Sequence, residues 1–453
     1  MRKRVVASAV LALSSMHLSA QSPKPPATLP TEAGLTFAAD AAPKADVLPK
    51  ADPAKADALP KAAPAVTSET PGAVKTDCAP EGPPLILAAT SCFDEPAMWG
   101  GMDYMIWYVK GTQLPPLVTI GNPAVGFPAI NSAGALGQPG THVLYGGDRQ
   151  DFNSLSGVRL TLGGWLDKEH TFGLEASGFL MEHQTTTFRA TSDKAGNPAL
   201  YFPAFNVSAG AERALLISDP LRGFAGDVSV KSGIRMFGTE ANSLYNIYRS
   251  DNLDLTLLAG FRYVDLTEDT AIHNKTDDLL FNNSTVFDER FATRNQFYGG
   301  QLGGRMNWTW EHFSLTATGK LAMGVTHESV NIQGQTTQTG PGAFLPPGPL
   351  LGGFYTQRSN IGRQTDNDFG VIPSVDLKLG YWVTPRLQAS IGYSFLYWNR
   401  VVRPGDQIDR NINLTQSTAF GAGTLIGQSA PSPLFNRSDF YAQAISFGLE
   451  YHF

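Results

Sequence analysis

Two cysteines in 453 residues are too few to staple an exported chain, so a disulfide scaffold is excluded as the source of its stability. Past the amino terminus no uncharged apolar run comes near the ~18 residues a helical span requires, which excludes a helical membrane protein. Basic excess is missing too: 34 Lys and Arg stand against 40 Asp and Glu, a net charge of -6 with both signs interspersed, and that leaves no footprint for nucleic acid. Catalytic motifs are equally thin. His327-Glu328 is followed by Asn331 where a zinc protease needs a second histidine, no G-x-S-x-G elbow occurs, and the glycines at 421, 423 and 427 have the wrong spacing for a nucleotide loop. The loop-side groups His183, His273 and His327 with Asp265, Glu268, Asp269, Asp366 and Asp368 read as solvated polarity. No catalytic residue, metal or cofactor is expected.

What is present starts with export. Arg2, Lys3 and Arg4, the apolar run from Val5 to Leu13 and Leu18-Ser19-Ala20 before Gln21 have the order of a secretory signal peptide over 1–20. Residues 21–95 are rich in Ala, Pro, Lys and Asp, with Pro43-Lys44-Ala45-Asp46 echoed at Pro49-Lys50-Ala51-Asp52. Such a stretch cannot build a core and reads as a disordered periplasmic linker, an inert spacer or a tether toward the cell wall. Near its end Cys78 and Cys92 could close a small loop in an oxidising compartment or remain two thiols.

The last thirteen residues carry the clearest pattern. Tyr441, Ile445, Phe447, Leu449, Tyr451 and Phe453 share one face, broken only by Gln443, while Ala442, Ala444, Ser446, Gly448, Glu450 and His452 share the other. In water this would be an aggregating edge; in a bilayer it is a lipid-facing stave. A mean hydropathy of -0.13 fits a barrel, in which every second strand residue faces the lumen.

From residue 96 onward the chain parses into an all-β, transmembrane, antiparallel up-and-down barrel of ten strands. They fall at 99–109, 157–166, from 172, 228–247, 253–263, 295–308, 313–325, 371–381, 387–397 and the terminal strand. Twelve is the nearest alternative, because residues 211–218 could add a hairpin. Outside the first strand, whose lipid face is ambiguous between Tyr104, Ile106, Tyr108 and Met105, Trp107, Val109, alternation assigns the faces. The strand from 228 is expected to change face at a bulge near Met236 and Phe237. Four short turns alternate with five long polar loops at 110–156, 182–227, 265–294, 326–368 and 398–439, the asymmetry of outer-membrane barrels with periplasmic termini.

Trp99, Trp165, Trp308, Trp310 and Trp382 fall toward the short-turn side, with Trp107 and Trp398 at the opposite ends. They read as girdles at two membrane interfaces. Arg159, Glu175, Glu240, Arg262, Arg305, Lys320, Asp376, Lys378 and Glu450 fall on inward faces, and in a narrow barrel can pair into a plug. If the turn at 249–252 centres its hairpin, Glu240 and Arg262 become diagonal neighbours.

Particular segments also resemble a family. Trp99-Gly100-Gly101-Met102-Asp103-Tyr104-Met105-Ile106-Trp107-Tyr108-Val109-Lys110, Leu114-Pro115-Pro116-Leu117-Val118-Thr119, Leu136-Gly137-Gln138-Pro139-Gly140-Thr141, Leu144-Tyr145-Gly146-Gly147, Phe172-Gly173-Leu174-Glu175-Ala176-Ser177-Gly178-Phe179 and Leu258-Ala259-Gly260-Phe261-Arg262-Tyr263 occur in order. They are similar to the outer-membrane family catalogued as beta-barrel protein seven, best known from planctomycete bacteria. The resemblance implies fold and location and supplies no activity. The expected function is a non-enzymatic envelope protein, structural or adhesive, with a side-chain-filled lumen; a porin-like channel and a loop-based outer-surface hydrolase are the alternatives. Its expected partners are outer-membrane lipid, the barrel-assembly machinery through the terminal strand, and the cell wall through the linker.

Overall fold

The computed structural model describes residues 97–126, 132–417 and 423–453, so the signal peptide, the linker and the Cys78–Cys92 question lie outside it. Ten antiparallel staves close a ring. They are β1 (Met98–Val109), β2 (Leu155–Trp165), β3 (Phe172–Met181), β4 (Phe224–Arg249), β5 (Leu253–Asp278), β6 (Asn283–Trp310), β7 (Phe313–Thr339), β8 (Gly362–Thr384), β9 (Leu387–Val402) and β10 (Arg437–His452). The twelve-stranded sheet contains these and two short additions, Gln184–Thr191 and Leu350–Leu351. The seam runs from Trp99 opposite His452 to Val109 opposite Ala442, with the Phe453 amide donating to the Met98 carbonyl at 2.9 Å.

Near the short turns the ring has the polarity of a membrane barrel. On β5, Leu255, Leu257, Ala259, Phe261 and Tyr263 point out while Thr256 and Arg262 point in. Above Tyr263 the same strand continues in unbroken alternation with the polarity reversed. Asp265, Thr267, Asp269, His273 and Lys275 now face out, and Val264, Leu266 and Ile272 face in. The stave has left the lipid for water, where a sheet hides its apolar face on the inside. β4 to β7 are 26 to 28 residues long. A membrane strand needs about 9–11, so roughly 15 residues, or about 50 Å, rise beyond the bilayer.

This reversal corrects two expectations. Most of 265–294, and much of 326–368, is stave and not loop. The apparent change of face at Met236 and Phe237 is no bulge, since the β4–β5 register passes through them without a shift. The register does slip between Asn246 and Tyr248, and that slip sets Glu240 directly opposite Arg262 in place of a diagonal.

The long staves make a tall curved wall, and the remaining loops fold against its inner surface. Gln184–Thr191 extends the wall along β4 where β3 has stopped. Val118–Ile120, His142–Tyr145, Leu200–Asn206, Ala211–Ser218 and Asn411–Ile412 form a five-stranded cap sheet. Residues 211–218 are therefore a strand, placed in the cap and outside the ring. Leu117, Leu200, Phe202, Val230, Ile272, Phe291, Ile332 and Tyr355 fuse cap and wall into one buried core.

Candidate functional site

The lumen is stacked in levels, beginning at the short turns with a cavity of ≈470 Å³. Trp99, Trp165, Trp382, His170 and His452 surround it, with Asn246, Asn307, Gln388 and several threonines on its walls. Above it lies a layer of ions to which every stave contributes. Asp103 of β1 accepts from Arg159 Nε at 2.8 Å and from Lys378 Nζ at 3.0 Å. Arg159 reaches on to Asp376 at 2.8 Å, where Ser394 of β9 also donates at 2.6 Å. Glu240 accepts from Arg262 at 2.5 Å and from Lys320 at 2.6 Å. Arg305 grips Glu175 with two bonds of 2.6 and 2.8 Å, and Glu450 meets His452 at 2.9 Å. Five cations, Arg159, Arg262, Arg305, Lys320 and Lys378, stand with five anions, Asp103, Glu175, Glu240, Asp376 and Glu450.

The structure thus brings the nine inward charges read from sequence into one layer and adds Asp103. Its signal was available. Asp103 shares parity with Met105 and Trp107, and a carboxylate on the lipid face is costly, so that face belongs inside; Met98, Met102, Tyr104 and Tyr108 are the exposed residues of the strand.

Over the ions sits an apolar floor of Met105, Trp107, Met236, Leu266, Phe297, Ile372 and Trp398, which leaves only a ≈50 Å³ gap at their boundary. Trp107 and Trp398 are 3% and 0% exposed and cannot be interfacial. Trp99, Trp165 and Trp382 line the cavity. Of the seven expected girdle residues only Trp308 and Trp310 lie on the outer face. The rings that do face the interfaces are mostly Tyr and Phe: Trp310, Phe313 and Tyr381 at the short-turn end, and Phe237, Tyr263 and Tyr298, with centroids 5.7 and 4.9 Å apart, where the polarity reverses. The terminal strand turns Ile445, Phe447, Leu449, Tyr451 and Phe453 outward. Gln443, the one polar outward residue from Tyr441 onward, accepts from Tyr393 Oη at 2.9 Å.

Higher still, the cap is pinned by buried polar groups with no sequence periodicity to announce them. Arg403 holds Glu268 through bonds of 2.5 and 2.9 Å and donates to the Gly111 carbonyl at 2.7 Å, tying the loop after β9 and the loop after β1 to the wall. Glu289 accepts from Thr356 N and Oγ1, both at 2.8 Å. Burial pushes the Glu289 carboxyl up to about 7, against the opposing pull of Thr356 Oγ1 and the amides of Phe354, Tyr355 and Thr356. An acid raised above its unfolded value binds its proton more tightly when folded, so its stabilisation is full below 4.5 and falls away as pH rises through 7. About 3 kcal/mol is at stake. Protease cleavage within 352–361 is expected to increase from pH 4.5 to 7.5 and to become flat in Glu289→Gln; an equal slope in that variant would refute the assignment.

The outward histidines are on staves or at their ends and not grouped. His273 and Asp288 form a solvated pair at 2.7 Å, and His327 meets Asn367 at 2.8 Å. Ser229 lies opposite His273 in register. Among the described residues no three metal-ligating side chains converge.

A closed ring with an apolar outer band and an ion-filled lumen defines a porin-like outer-membrane β-barrel. The family follows from residues 99–453, which match the one described as "Putative beta barrel porin-7 (BBP7)", and the chain belongs to it. No curated protein matches. Among solved structures the chain is similar to the outer membrane protease OmpT of Escherichia coli at 10% identity, covering 81% of this chain and 99% of that one, with a TM-score of 0.39. A Pseudomonas aeruginosa FadL homologue is matched at 10% identity over 80% and 91% of the two chains, with a TM-score of 0.25. The toluene transporter TodX of P. putida is matched at 9% over 79% and 89%, with a TM-score of 0.16.

Proposed function

We propose that this barrel is a closed, non-conducting envelope protein, structural or adhesive, whose working surface is the tall cap. The observation that carries it is the blocked lumen: ion layer, apolar floor and cap core follow one another across the whole bore. A wide aqueous path needs more staves than ten. The adhesive side rests on the crown of the wall. Leu221, Leu279, Leu280, Phe281 and Phe344 are all exposed there, drawn together by the Leu279 amide donating to the Gly223 carbonyl at 2.9 Å and Asn283 Nδ2 to the Gly342 carbonyl at 3.2 Å. An apolar patch held this far from lipid reads as a contact surface.

In this reading the short turns and both termini face the periplasm, the linker reaches toward the cell wall, and the lower band is solvated by outer-membrane lipid. Purified barrel in a planar bilayer is expected to give no steady current; a sustained open level would establish the channel alternative instead. The terminal strand is the segment offered to the barrel-assembly machinery. Deleting Phe453 removes the amide that closes the seam at Met98 and one lipid-facing ring, and is expected to lower the assembled fraction several-fold. Wild-type assembly of the truncated chain, assayed by membrane fractionation, would remove that role.

A further inference from the structure

We propose that the ≈470 Å³ cavity at the short-turn end is a binding pocket for a neutral glycan, a pyranose or N-acetylated pyranose unit of the cell-wall type. Its size falls within the ~300–1,000 Å³ range of small-molecule sites. The apolar floor closes it from above, so an occupant is held and not in transit.

The aromatic half of the pocket is built to lie flat. Trp99 rests on Gly163, where a Cβ would fall 2.2 Å from its ring, and Trp165 rests on Gly173, where a Cβ would fall 2.9 Å from its ring. Both glycines occupy inward positions of their staves, and each leaves the indole against the wall. Trp165 also stacks on His170 with 5.7 Å between centroids and 8° between planes, and Trp382 packs on His452 at 5.0 Å. Trp99, 8% exposed and packed with Leu244 and Leu258, backs the pocket, while the partly exposed Trp165 and Trp382 present the indole surface open to the C–H faces of a sugar ring.

The polar half selects against charge. Arg305 and Glu175, Arg159 and Asp376, Lys320 and Glu240 already satisfy one another at 2.6 to 2.8 Å. A charged or zwitterionic ligand would have to break these buried pairs, leaving one partner of each without its counter-ion. Hydroxyl and acetamido groups need no such break, because they donate to spare carboxylate lone pairs and accept from spare N–H groups. Asn246, Asn307, Gln388, Thr161, Thr256 and Thr318 add neutral donors and acceptors around the same space. Placing this pocket in the periplasm rests on the orientation proposed above; the binding itself does not.

The test is a tryptophan-fluorescence titration of the purified full chain in detergent micelles with tri-N-acetylchitotriose, and in parallel with the zwitterionic tripeptide triglycine. A saturable change with the sugar and none with the peptide is expected. Asn307→Ala should weaken binding about fivefold or more, the loss of one ligand hydrogen bond, and Trp165→Leu should abolish it. If Trp165→Leu does not assemble, Asn307→Ala decides. No saturable change up to the solubility of the sugar, a stronger response to triglycine, or unchanged affinity in Asn307→Ala would overturn the proposal. Conductance of the same preparation separates the two ideas: a steady current defeats the closed barrel and leaves the titration standing.

Discussion

Glu240→Ala is expected to destabilise the barrel by about 3–5 kcal/mol, the cost of stripping a buried ion of its partner. Glu240 is the common acceptor of Arg262, Lys320 and Gln301, the last at 3.3 Å. Without it Lys320 keeps a distant partner in Asp376 at 3.7 Å, whereas Arg262 retains only the hydroxyl of Ser374 at 2.9 Å. The guanidinium is therefore the larger part of the loss. Replacing it as well, in Glu240→Ala with Arg262→Met, is expected to recover most of the stability, because removing both ends of a buried pair is far cheaper than removing one. Urea midpoints of the micelle-bound barrel measure both. A single-variant loss under about 1 kcal/mol would mean that water reaches these charges freely, and the blocked lumen would go with it.

The second large effect concerns where lipid ends. Leu257 and Ala271 both face out from β5, one below and one above Tyr263. Leu257→Arg puts a cation near the middle of the apolar band and is expected to cost about 2–4 kcal/mol. Ala271→Arg, among Asp269 and His273 on the watered wall, is expected to change stability by no more than about 0.5 kcal/mol. Equal costs at the two positions, measured by the same unfolding midpoints, would show that the bilayer boundary does not lie at Tyr263.

The contrast between these positions also explains which parts of the molecule can be read from sequence. Strands such as 387–397 and 253–263 are legible because a lipid face and a lumen face impose opposite demands on alternate residues. Above Tyr263 the alternation persists but its sign reverses, and a reader tracking apolar-out residues sees only polar loop from Asp265 to Arg294. Tryptophan misleads for a related reason. Its amphipathic ring suits a membrane interface, yet it also fills a narrow bore, as Trp398 does, and position along the strand does not separate the two; parity does, as Asp103 demonstrates for Trp107. Glu289 and Arg403 had no signal of either kind, because their partners Thr356, Glu268 and Gly111 are joined by the fold of the loops.

The ion layer has a bearing on how the ring closes. Because each stave brings a charge or a hydroxyl to one shared ring, and positive and negative groups match five to five, its neutrality is a property of the complete set. The β6–β7 hairpin alone among the short-turn hairpins brings two like charges, Arg305 and Lys320, and these are balanced by Asp103 and Glu450 on the two strands that form the seam. Asp103 is engaged by Lys378 from a stave that does not adjoin its own, so the seam between first and last strands is held from within as well as along its edges. Closure of the ring is thereby supported by charge matched across the lumen as well as by the hydrogen-bonded ladder.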